Sequence, residues 1–131
     1  MDVSNRLAHV LAERLKSSLK PHFEIVADGE LLRVTSSLSD DSITINVDYE
    51  SRAEMMGKGG SRRSLAAAIV ALALDQVQDF IAIELRVPWP GTTSLPLPYT
   101  SVKQDEMIFG FGVPEKPTLE YEPLHWTTLG L

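Results

Sequence analysis

Val3, Leu7, Val10, Leu11, Leu15 and Leu19 recur at helical spacing, while Arg6, Glu13, Arg14 and Lys16 fall on the other faces. The pattern predicts an amphipathic first helix, closed by Pro21. From His22 to Ala27 the period shortens to two, which places Phe23, Ile25 and Ala27 on one side of a strand. Asp28-Gly29 is a two-residue hairpin signal, since both residues tolerate the positive φ that a tight turn demands. Leu31 to Ser36 forms the returning strand, and the polar run Ser36 to Ser42, broken only by Leu38, makes the next turn. Ile43, Ile45, Val47 and Tyr49 then alternate with Thr44, Asn46 and Asp48, so the third strand has one face in water. These three strands form a meander.

Gly57-Lys58-Gly59-Gly60 interrupts the chain before a long helix that Ser61 can cap. Between Leu65 and Leu74 that helix is apolar on every side, a pattern that predicts burial all round. Asp75, Gln76, Gln78 and Asp79 then open a polar face, and Val77, Phe80, Ile81 and Ile83 continue the buried one until Pro88. A helix of about 25 residues is about 37 Å long, more than three short strands can cover. Residues 87–102 carry four prolines and read as an extended loop. Met107, Phe109, Phe111 and Val113 share one face of a fourth strand, with Gly110 and Gly112 on the other, where glycine admits a close backbone or ring. Leu119 to Glu122 makes a fifth strand, pushed to an edge by Pro123. The expected architecture is a single α+β domain over residues 1–131, ordered α-βββ-α-ββ, with one antiparallel sheet and its helices on one face.

Composition adds few constraints. A chain of 131 residues suits one domain, and 44% hydrophobic with 23% charged residues is ordinary for a soluble globular protein. Cysteine is absent, which excludes disulfides, thiolate metal sites and cysteine nucleophiles and suits a cytoplasmic setting. The first residues lack the basic-then-apolar run of a leader, and the apolar stretch from Leu65 stops at Asp75, so no membrane segment is expected. The net charge of −6 is concentrated late: residues 1–65 hold nine Lys/Arg against ten Asp/Glu, residues 66–131 three against eight. Such an acidic surface repels phosphate backbones and argues against nucleic acid as a partner.

The candidate chemistry is sparse. His9, His22 and His125 are dispersed, without ligand spacing, so no metal or other cofactor is expected. Asp75 and Asp79 share a helix face, but two carboxylates in like surroundings do not divide into acid and base. No Gly-x-Ser-x-Gly elbow occurs, and no catalytic residue can be named. The 57–61 segment fails the Walker spacing, because position 52 is Arg52 and Gly59 follows Lys58. A simpler anion site remains open, built from Arg52, Lys58, Gly59, Gly60, Arg62 and Arg63 around a helix start. Its alternative is a connector whose basic residues only solvate it. The proline segment offers Trp89 and Tyr99 as partner-binding aromatics; its alternative is a rigid lid with both rings packed inward.

The order of elements, with the small size and acidic balance, resembles the chaperones of bacterial type III secretion and the wider secretion-chaperone-like fold. The likeness runs from Val3 to about Glu122 at the level of topology. It implies a chaperone-like interaction role and a closing helix, for which Pro123 and Gly130 leave little room. Three function classes follow: a non-catalytic interaction or assembly domain, an anion or small-ligand module using residues 57–63, and an enzyme with a dispersed site. The first is expected, as a homodimer that hides surplus apolar surface, with a further protein partner open.

Overall fold

The computed structural model describes residues 2–91 and 93–131; Met1 and Thr92, the latter inside the proline segment, lie outside the described residues. Helix α1 (Val3–Leu15) starts where the Asp2 side chain accepts the Asn5 N–H, and it tightens into a 3-10 turn over Lys16–Leu19 before Pro21. Leu7, Leu11 and Leu15 supply its fully buried stripe. Strands β1 (Phe23–Asp28), β2 (Leu31–Ser36) and β3 (Ser42–Asn46) form the expected antiparallel meander. Its first turn differs in detail: Asp28 pairs with Leu31, so the two-residue loop is Gly29-Glu30. Only Gly29 takes positive φ there, at 62°, which distinguishes a type II′ turn from type I′.

The third strand stops at Asn46, whose Oδ1 accepts the Asp48 N–H, and Asp48 in turn accepts from Ser51. Helix α2 (Glu50–Met56) follows, in a stretch where no helix was expected. Ala53 is its one buried residue, so it carries no apolar period to read. Glu50 instead anchors it, accepting hydrogen bonds from the N–H groups of Val3 and Ser4 and from the Ser4 hydroxyl at the start of α1. A carboxylate at a helix start is favoured by the positive end of the peptide dipoles.

Helix α3 (Arg62–Leu85) is capped by Ser61, which accepts the Ser64 N–H as the sequence suggested. The second half of the chain holds β4 (Pro98–Val102), β5 (Glu106–Val113), β6 (Lys116–Glu120), β7 (Leu124–His125) and a short α4 (Trp126–Leu129). The α+β class is as expected, but the strands divide into two antiparallel sheets: β1-β2-β3, and β4-β5-β6 with β7 also on β5. Strand β4 lies in the segment read as a loop. It begins on a proline and pairs on one side only, the position in which a strand tolerates proline.

Both sheets meet α3. Phe80 of α3 packs edge-on against Phe23 of β1, with centroids 6.1 Å apart. The helix also packs against β4 and β5, where Met107, Phe109 and Phe111 are fully buried. Val113 is exposed beyond Gly112, where the β5–β6 register shifts and Thr118 of β6 is left without a partner. Gly110 and Gly112 admit close neighbours as expected: a Cβ at Gly110 would lie 2.3 Å from the Leu119 carbonyl oxygen, and Gly112 has φ 108°. The apolar run of α3 is not buried all round. Ala66, Ala67, Ile69, Val70, Ala73 and Leu74 are inside, whereas Ala68 and Leu72 face outward.

Candidate interaction surface

The glycine-rich connection is open. Gly57, with φ 69°, ends α2, and Lys58, Gly59, Gly60 and Arg62 are exposed, with Arg52 half-buried. Among the described residues no neighbour lies within 4 Å of a Cβ at Gly59, and the nearest atoms to one at Gly60 belong to the flexible Met56 side chain, so close backbone packing explains neither glycine. Arg63 has another role. Its guanidinium donates to the carbonyl oxygens of Gln104 at 2.8 Å and Leu131 at 3.1 Å, and it lies 5.4 Å from the ring centre of the buried Trp126. Its donors and its flat face are thus directed at the chain end, which separates it from the other basic residues of the segment.

The proline segment is tied down from beneath. Gln78, buried on α3, donates from Nε2 to the carbonyls of Trp89 at 3.1 Å and Pro96 at 2.6 Å. The Trp89 ring, half-buried, packs edge-on to Phe111 at 5.4 Å. Tyr99 is half-buried and donates its hydroxyl to Glu120, with its oxygen close over Gly110. Burial, together with the Glu120 carboxylate, pushes its pKa above the ordinary tyrosine value. Tyr121 stacks on Phe109 and contacts the Ser18 hydroxyl, and burial raises its pKa to about 12. Both phenols are held protonated.

His9, His22 and His125 are all exposed, and among the described residues no group of three or more His, Asp or Glu is placed to hold a metal ion. Glu84 accepts a hydrogen bond from Ser39, and with Ser36 this holds its carboxyl below the usual range. The contact fastens the β2–β3 turn to the end of α3.

A different feature stands out along α3. Ala68, Leu72, Asp75, Gln76, Asp79, Ile83 and Arg86 are exposed at intervals of three and four residues, which places them on one face. Ile83 is 72% exposed, Val87 55% and Leu95 52%. Two shallow depressions flank Ile83 and share Asp79. One, of about 360 Å³, is lined by Asp79, Ala82, Arg86, Val87 and Leu95 among others; the second, of about 340 Å³, reaches Ile43, Gln76 and Phe80. Met55, Val26 and Val113 are also exposed, but none of them lines either depression. By length and composition α3 could cross a membrane; just over half of its most apolar stretch is buried within the fold.

The chain matches no protein-family model, no curated protein and no solved structure. The secretion-chaperone resemblance therefore rests on element order alone; α2, β4, β7 and the division into two sheets depart from that order, and the closing helix is the four-residue α4 that fits between Pro123 and Gly130. Sequence reasoning missed the outward strip of α3. Its signal was present in the spacing of Leu72, Asp79 and Ile83, but an all-apolar run gives no indication of which side the sheets leave open.

Proposed function

We propose that the chain is a non-catalytic interaction domain that self-associates through the outward face of α3. One observation carries the reading: Ile83, Val87 and Leu95 are each more than half exposed, and together they line one depression beside a helix already buried on its opposite side. Isolated exposed aliphatics are common, whereas a contiguous apolar depression with charges at its margin suits a partner. Closed two-fold association is the commonest way for a small domain to cover such a face. The test is Ile83→Asp. Because Ile83 is exposed, the subunit should keep its circular dichroism and melting temperature within a few degrees, while light scattering shows a dimer for the parent chain and a monomer for the variant. A parent chain and variant with the same mass would refute the proposal.

A further inference from the structure

Accepting self-association through this face, the depression also determines how two copies meet. Asp79 stands at one end and Arg86 at the other, with Ala82 and Ile83 between them. The two charged residues are equidistant from the midpoint of Ala82 and Ile83, each about 5 Å along the helix from it. We infer that the occupant is a second copy of this chain, docked about a two-fold axis at Ala82–Ile83, with Asp79 of each copy against Arg86 of the other. A two-fold axis across an antiparallel helix pair brings residues that sum to the same value together, so this one axis creates both ion pairs at once. Ile83 then seats against Ala82 and Ile83 across the axis, and Val87 and Leu95 cover its flanks.

Apolar matching alone allows a competitor. An axis nearer the helix centre, between Val77 and Gln78, would set Leu72 against Ile83 and lengthen the contact. It would also crowd Asp75 and Asp79 of both copies around the axis, with no basic residue of the exposed face among them. At separations of a few ångströms in a partly dried interface, like charges repel strongly, and juxtaposed carboxylates suppress a pairing. Arg86, in the left-handed C-cap of α3, is by contrast where a cation is favoured by the helix dipole and where it reaches the carboxylate. Electrostatics therefore select the register that the apolar surface leaves open.

The two registers differ in sign under charge reversal. In the Asp79–Arg86 register, Asp79→Arg and Arg86→Asp each convert two attractions into two repulsions and should weaken the dimer by about tenfold or more. The double reversal restores opposite charges and should return affinity to within about threefold of the parent. Added salt should weaken the parent dimer. In the central register Asp79→Arg relieves acid crowding and strengthens the dimer, and salt does the same. Sedimentation velocity of the four chains over a concentration series, with circular dichroism melts to confirm folding, distinguishes these outcomes. Tighter association of Asp79→Arg, or no rescue by the double variant, overturns the register while leaving self-association intact. A monomeric parent chain overturns both.

Discussion

The two ends of α3 carry the same kind of side chain in opposite circumstances. At the start, Arg63 spends its guanidinium on the Gln104 and Leu131 carbonyls and on the Trp126 ring, closing the C-terminal segment over the core. At the far end, Arg86 is exposed beside Asp79 and Ile83 on the rim of a depression. A basic residue near a glycine-rich helix start invites an anion-binding reading, and yet that arginine is structural. The one that resembles a mere helix terminator faces outward. What separates them is the aromatic residue available within the fold, since Trp126 becomes a neighbour of Arg63 only when α4 folds back.

The largest effect should come from removing that neighbour. Trp126 is 1% exposed and donates its indole N–H to the Lys103 carbonyl at 2.9 Å. Trp126→Ala should cost about 3–5 kcal/mol by urea unfolding. A cost below about 1 kcal/mol would mean that the C-terminal closure contributes little, and the contrast between the two ends would collapse.

Alkaline pH probes another internally engaged side chain, with a smaller effect. Tyr121 has its folded pKa raised from 10.0 to about 12, so its contribution is complete below pH 10 and is lost as pH rises from 10 through 12. The loss should be on the order of 2 kcal/mol. Tyr121→Phe should flatten that part of the stability profile, and an unchanged alkaline slope would show that Tyr121 is not the titrating group.

Of similar or smaller size is the difference within the basic segment itself. Arg63→Ala should cost about 1–3 kcal/mol, because two charge-assisted hydrogen bonds and a ring contact disappear. Lys58→Ala should stay within about 0.5 kcal/mol, as an exposed loop residue. Equal effects in thermal or urea melts would return Arg63 to the surface group from which the structure separates it.

Much of the fold was legible because its local signals were strong. The stripe of α1, the alternation of β1 to β3 and the Ser61 cap each follow from side-chain period or capping chemistry. What escaped was set by tertiary context. Helix α2 buries Ala53 alone and is held by Glu50 reaching back to Ser4, a contact between residues 46 apart in sequence. Strand β4 is hidden by the prolines around it, and the division into two sheets is a matter of strand pairing that local period does not encode. The candidate surface was half legible: the apolar surplus of α3 and the acidic pair could be read, whereas the exposure of Leu72 and Ile83 depended on where the sheets came to rest. Trp89 and Tyr99 looked presentable in sequence, and their engagement with Phe111 and Glu120 is a long-range outcome.

The most direct test of the central claim is the mass of the parent chain by sedimentation equilibrium across the micromolar range. Self-association through α3 predicts twice the 14.5 kDa subunit mass, declining toward the single subunit on dilution. A mass of 14.5 kDa at every concentration would contradict it, because the outward face of α3 would then stand uncovered in solution.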